Sequence, residues 1–372
     1  GLVPGRADRR CQTRTVQHAD VGIGFIDDGS ATAHLHAALL AAVTGYPDDL
    51  APAELPDDPA AFKKAYPDAL PRFEAARAGS PRRTDIARAV VAAANERLVM
   101  HPDGVPIGEA VAQAAEPFPT ETRRAGGSSR LRPSVPIDGT AHEGPALTDA
   151  VAAMVARGSA SASVGDAIAW LVEQAGSDGI DLTGRRIAVM GADAELAPTR
   201  MWLEGGAEVL WLDVSDPPAD LRERDDLSGT LHWAPGGCDL LSDPHRVRAT
   251  IEEFAGGEPI DLGLYAYAGG KAREWRLTAA MNAIVDALPD GMVRGVAMLL
   301  SPTTCGVLTE DELAAEAKRR ADAPMWLRTL DRVHAVGSGD GHATVGSVAA
   351  NRGVVSIQGG SYQAAQYVGK LL

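Results

Sequence analysis

The chain has 372 residues, 45% of them hydrophobic and 23% charged, enough to bury a substantial core and to form two domains. A formal net charge of -15 argues against nucleic acid or an anionic membrane surface as a general partner, since both need clustered Lys and Arg. Cys11, Cys238 and Cys305 are too few and too scattered for a disulfide framework or a thiolate metal site, no apolar run reaches membrane-spanning length, and the first residues lack the apolar core of a secretory leader, so a soluble protein of a reducing, cytoplasmic compartment is expected.

Residues 15 to 116 read as mainly helical. Ala31–Val43 and Thr84–Val99 are alanine-rich with apolar residues at helical spacing, and Thr84 with Asp85 offers an N-cap and an acidic first turn. Between them, the prolines and acids of Tyr46–Pro59 predict a loop. His34 and His36 stand two apart, so a helix turns them roughly opposite ways, and no metal site is expected there. Pro117–Pro145 is dense in Pro, Gly, Ser and Arg, and its RRAGGSSRLRPS stretch contrasts in charge with the acidic average. It reads as a linker or surface loop, with a lid over an anionic ligand as the sharper alternative. These shifts divide the chain into a mainly helical N-terminal domain, 1–145, and a second domain, 146–372. Helices over Ala146–Ala156 and Val164–Ala175 lead into the latter, the second with Ser163 and Asp166 at capping-box spacing.

From Gly184 onward apolar strands alternate with helices, predicting an α/β fold with a doubly wound parallel sheet of about seven strands. The strands are Ile187–Met190, Val209–Leu212, Thr230–Trp233, Leu262–Tyr267, Val296–Leu300, Val333–Val336 and Val354–Ile357. Helices near Pro198–Gly205, His245–Phe254, Arg276–Ala287 and Glu310–Arg320 separate them, the last opened by a Thr309/Glu312 capping box. Within this series Arg185–Asp213 has the outline of a dinucleotide-binding β-α-β unit: an apolar run, Gly191, a helix-length segment, a second apolar run and the closing Asp213. An acid so placed accepts hydrogen bonds from a ribose diol and disfavours a 2′-phosphate, pointing to NAD rather than NADP. Only Gly191 stands where three glycines are usual, and Asp193, Glu195 and Pro198 share the turn. A parallel-sheet unit that binds no nucleotide is therefore the competing reading.

The segments from Gly184 to about Tyr362 resemble, in collinear order, the short-chain dehydrogenase/reductase superfamily. Cys238–Asp243 is similar to the segment after the third strand, where the resemblance gives Asp239 the adenine contact. Ala268-Gly269 match the end of the Asn-Asn-Ala-Gly motif after the fourth strand, with Tyr265, Ala266 and Tyr267 in place of the asparagines. Val296–Ser301 resembles the fifth strand and makes Ser301 the substrate-orienting serine. Arg332–Thr344 resembles the sixth strand and the loop around the nicotinamide, and Gly353–Tyr362 the seventh strand with its Gly359-Gly360 ending. The resemblance implies a Rossmann-like domain, bound NAD and a Tyr/Lys pair, in which the lysine lowers the pKa of a phenol that exchanges the carbonyl proton.

The family's spacing from Ser301 reaches Ala314 and Lys318, so the lysine is present and the tyrosine is not. No tyrosine lies between Tyr267 and Tyr362; Tyr362 has Gln366 four residues on, and would need Lys370 to fold back towards it. Glu312 reads as the capping acid, with a replacement catalytic acid as the alternative. The candidate residues are thus Ser301, Lys318 and Tyr362 for catalysis, and Gly191, Asp213, Asp239, Ala268 and Gly269 for the cofactor. The expectation is an atypical NAD(P)-dependent oxidoreductase acting on a small carbonyl or alcohol, possible as a homo-oligomer. The alternative is a non-redox isomerase, dehydratase or cyclase, or a binding protein on the same scaffold.

Overall fold

The computed structural model describes residues 21–270, 272–301, 303–326, 341–353 and 359–371. The chain opens with β1 (Gly22–Phe25) and α1 (Ala31–Gly45), whose first turn is capped by the Ser30 hydroxyl accepting from the Ala33 N–H at 3.3 Å. Next come α2 (Pro47–Leu50), a 3-10 turn at Ala51–Ala53 and α3 (Pro59–Gly79). α3 carries Pro67 and Pro71 inside it, each removing a helical hydrogen bond, and survives because Phe62, Tyr66, Leu70 and Phe73 are buried along it. α4 spans Arg83–Asn95, so Thr84 lies inside the helix and is not its cap. Leu98 and Val99, expected to continue that helix, belong to β2 (Leu98–His101), which pairs antiparallel with β1 and with β3 (Val105–Pro106). α5 (Ile107–Ala112) follows.

The arginine-rich segment is structured. Its β4 (Glu121–Arg124) joins the central sheet, and β5 (Ser134–Ile137) with β6 (Thr140–Glu143) forms a hairpin. Two of its arginines are ion-paired, Arg123 with Asp225 at 2.5 Å and Arg130 with Asp181 at 3.4 Å. The hairpin leads to α6 (Gly144–Ala156) and α7 (Ala162–Ala175), the latter starting after Ser161 without the expected Ser163/Asp166 box.

The α/β unit follows as β7 (Arg186–Met190), α8 (Thr199–Glu204), β8 (Glu208–Leu212), α9 (Ala219–Arg222), β9 (Thr230–Trp233), α10 (Pro244–Ala255), β10 (Ile260–Leu264), α11 (Arg273–Ala287) and β11 (Val293–Met298). α12 (Glu310–Ala321), the β12–β13 hairpin (His342–Val345, Val348–Asn351) and α13 (Gly359–Lys370) complete it. The central sheet has six strands in the order β11-β10-β7-β8-β9-β4; β7 to β11 are parallel and β4 runs antiparallel at the edge. It is therefore a mixed, mostly parallel sheet. The expected strands at 333–336 and 354–357 lie outside the described residues. Gly359-Gly360 open α13, and a Cβ on Gly360 would stand 2.0 Å from the Thr32 Oγ1 of α1, so that glycine serves helix packing.

Alternating residues of each parallel strand face opposite cores. Ile187, Val189, Val209 and Trp211 pack with Leu203 of α8 and Leu221 of α9, while Ala188, Met190, Leu210 and Leu212 pack with Val247 and Ile251 of α10 and Trp275 and Ile284 of α11. The second core is continuous with Leu35 and Leu39 of α1, Phe62 and Phe73 of α3, Ile86 of α4, and Tyr367 and Val368 of α13. Residues 23–111 and one face of the sheet thus contribute to a single hydrophobic interior. No helix among the described residues is long and apolar enough to cross a membrane.

One buried cluster fastens α3 to α13. The Glu74 carboxylate of α3, only 2% exposed, accepts from Arg77 at 2.8 and 2.9 Å, from the Tyr367 hydroxyl at 2.9 Å and from the Lys370 ammonium at 2.8 Å. Lys370 also donates to the Cys305 carbonyl. Burial opposes ionisation of Glu74, but Arg77 and Lys370 outweigh it and hold the carboxyl below its ordinary value of 4.5. A carboxyl depressed in the folded state stabilises at pH above 4.5, and that stabilisation is lost as pH falls through the folded value. Glu74→Gln leaves the half-buried Arg77 and Lys370 without their counter-charge; urea unfolding at neutral pH should show a loss of about 3–5 kcal/mol, shrinking below about pH 4.5 as the parent also becomes protonated.

Candidate functional site

Two cavities open side by side at the carboxyl ends of the parallel strands. The larger, about 600 Å³, is lined by Gly191 and Asp193 after β7, Asp213 after β8, Cys238–Ser242 after β9, Ala266–Ala268 after β10, and Arg273 and Arg276 of α11. The smaller, about 410 Å³, is lined by Glu195 and Leu196, Leu264–Tyr267, Thr278 and Met281, Met298–Ser301, and Tyr362, Ala365 and Gln366 of α13. Ala194, Ala266 and Tyr267 line both, so they form the partition. The pair straddles the point where the chain leaves β7 for α8 on one face of the sheet and leaves its neighbour β10 for α11 on the other. Diverging crossovers open a crevice at such a point, the usual place for a ligand on a parallel sheet.

Gly191 makes that crevice possible through a steric requirement. Its φ is +81°, and an added Cβ would stand 2.2 Å from the backbone nitrogen and 2.3 Å from the Cα of Ala266. The ends of β7 and β10 close on each other only because no side chain intervenes. Asp213, half-buried, binds the same turn: its Oδ2 accepts from the Asp193 N–H at 3.0 Å and its Oδ1 from the Val214 N–H at 2.8 Å. Burial pushes the Asp213 carboxyl up from its ordinary value, partly offset by these backbone donors. An acid kept in a cleft against burial marks a functional-site candidate. Asp239 caps its own loop, accepting from the Leu241 N–H at 2.8 Å and the Ser242 hydroxyl at 3.3 Å. Ala268 lines the larger cavity, while Gly269 is exposed and lines neither.

In the smaller cavity the expected Ser301 and Tyr362 meet, although 61 positions separate them in sequence. The Ser301 N–H donates to Gln366 Oε1 at 2.6 Å, and its hydroxyl lies 2.8 Å from that of Thr303. The Tyr362 ring packs edge-on to Tyr267 with centroids 6.0 Å apart. Burial, then Glu274 and Tyr362, raise the Tyr267 pKa above its ordinary value, so this phenol is a proton-bearing donor at neutral pH. Lys370 does not fold back to Tyr362; it is bound to Glu74. Lys318 is exposed on α12 and lines neither cavity, because the capping box starts that helix at the surface: Thr309 N–H donates to Glu312 Oε2 at 2.8 Å and Glu312 N–H to Thr309 Oγ1 at 3.3 Å. Glu312 is thereby a capping acid. Residues 117–145 line neither cavity, so that segment is no lid over them. The Cys238 and Cys305 thiols are buried and pushed up to about 12, which removes them as nucleophiles. Among the described residues no group of three or more His, Cys, Asp or Glu is placed to hold a metal ion.

Sequence reasoning missed Arg273, Arg276, Tyr267 and Gln366. The expected helix began at Arg276, so Arg273 fell outside it, whereas α11 starts at Arg273 and places the two arginines one turn apart. Much of the donor capacity of the turn after β7 is used within the protein. The N–H groups of Gly191, Asp193, Ala194 and Ala197 are all spent on Leu212, Asp213, Gly191 and Ala194, and α8 has only 6 residues. No family model, no curated protein and no solved structure matches the chain.

Gly191→Ala combines a forbidden φ with a backbone clash, so thermal or urea unfolding should show a loss of about 2 kcal/mol or more. Gly104→Ala, at φ +67° with nothing within 4 Å, isolates the backbone part and should cost about 1 kcal/mol. Equal losses at the two sites would contradict a packing role for Gly191.

Proposed function

We propose that the protein is an atypical NAD-dependent oxidoreductase of the short-chain dehydrogenase/reductase type, with a Rossmann-like sheet, acting on a small carbonyl or alcohol. The observation that carries this reading is the pair of joined cavities at the strand ends, one polar with Asp213 and Asp239, the other mostly apolar with Ser301, Tyr267 and Tyr362. In it the adenosine lies in the larger cavity, with Asp213 accepting from a ribose hydroxyl in exchange for one of its present backbone donors. A nicotinamide dinucleotide supplies hydride chemistry when bound. The chain's own part is to hold the substrate oxygen: apolar walls from Leu264, Met281, Met298 and Leu299 exclude water, and phenolic hydroxyls donate to the oxygen. Tyr362 is the proton-exchanging phenol here, and Ser301 orients the substrate.

One observation favours a second reading, a non-redox isomerase, dehydratase or cyclase on the same scaffold. Gln366 stands where an activating lysine would, and it is engaged with Ser301. An uncharged amide does not lower the pKa of a phenol as an ammonium does. A proton-donating site without redox chemistry needs no such activation.

Titrating NAD, NADH, NADP and NADPH by calorimetry separates the readings. The oxidoreductase reading expects NAD or NADH to bind in the micromolar range, and Asp213→Ala to weaken it about tenfold. Millimolar or absent binding of all four would overturn it in favour of the non-redox reading. Tight binding untouched by Asp213→Ala would remove the ribose assignment.

A further inference from the structure

The larger cavity carries an unusual distribution of charge. At the turn after β7 it is lined by the Asp193 and Asp213 carboxylates, and the turn N–H groups named above are spent within the protein. A phosphate placed there would meet two carboxylates and few donors. Across the cavity Arg273 and Arg276 lie one turn apart on α11, and neither forms an ion pair with any described residue. Arg276 spends one nitrogen on the Ile23 carbonyl at 3.2 Å, while its Nε is buried without a partner. Arg273 is exposed at the rim. Arg273 and Arg276 are the two cationic side chains that line this cavity.

We propose that Arg273 and Arg276 are the anion-binding wall of this cavity and hold the phosphate groups of its ligand, in place of the turn after β7. This rests on the reading of the larger cavity as a nucleotide site and assigns the ligand's orientation in it. The nucleoside lies towards Asp213 and Asp239, and the phosphates towards the first turn of α11. Guanidinium groups suit the role because their planar N–H pairs match two phosphate oxygens at once. The arrangement also gives the closed turn a reason: Asp213 satisfies the turn internally because no phosphate is called upon to do so.

The test uses the full chain and three probes, adenosine, ADP and inorganic pyrophosphate, each titrated by calorimetry against wild type, Arg273→Ala and Arg276→Lys. ADP should bind about tenfold or more tighter than adenosine, and its affinity should fall as salt rises. Arg273→Ala should remove most of that advantage while leaving adenosine affinity unchanged. Arg276→Lys keeps the charge and a donor for Ile23, and should weaken ADP less; urea midpoints confirm that both variants fold. ADP binding no tighter than adenosine, or ADP affinity unmoved by Arg273→Ala, overturns the anion wall while the nucleotide reading stands. Pyrophosphate binding that depends on Arg273, with no binding of adenosine or dinucleotides, upholds the wall and overturns the nucleotide reading. Silence from all three probes overturns both.

Discussion

A single buried carboxylate decides where α13 lies. Glu74 comes from the middle of a proline-containing helix near the start, and its partners Tyr367 and Lys370 come from the last helix. A charge at 2% exposure is tolerable only with its hydrogen bonds filled, and Arg77, Tyr367 and Lys370 fill them. α13 is thereby fixed against α3, and its opposite end reaches the mouth of the sheet, where Tyr362, Ala365 and Gln366 close one side of the smaller cavity. The Gln366 amide then holds the loop after β11 through the Ser301 N–H. A structural ion cluster and a candidate catalytic wall are two ends of one 12-residue helix.

The sheet supplies the other constraint. Parallel strands with crossovers leaving to opposite faces open a crevice at their carboxyl ends, and here β7 and β10 meet there with no room for a side chain at Gly191. The crevice is then divided by Ala194, Ala266 and Tyr267 into a polar half and a mostly apolar half. That division is the chemical content of the site: one half lined by carboxylates and two arginines, the other mostly apolar with the hydroxyls of Ser301, Tyr267 and Tyr362.

Much of the sheet was legible in the sequence, for a physical reason. Strands buried on both faces are continuous apolar runs, so β7, β8 and β9 begin or end within a residue of their expected bounds, and β10 and β11 are shifted towards their N-termini by two or three residues. β4 was illegible because Glu121–Arg124 is polar throughout and is held by edge pairing, not by an apolar face. α3 was hidden by Pro67 and Pro71, whose local cost is overridden by tertiary burial. In the site, Gly191 and Asp213 were legible because strand ends carry them, and Asp239 was reached only through the resemblance. Lys318 was misplaced because counting along the chain from Ser301 ignores the capped surface helix that carries it. Tyr362 lies in the cavity for a reason no spacing encodes, the anchoring of its helix at Glu74.

Both halves of the crevice are taken to form one ligand site, and backbone hydrogen exchange with and without a saturating dinucleotide tests that most directly. One ligand across both cavities should slow exchange together at residues 191–197, 238–242, 265–268 and 299–301 and leave the β5–β6 hairpin unchanged. Slowing confined to one cavity, or slowing centred away from the strand ends, would contradict it.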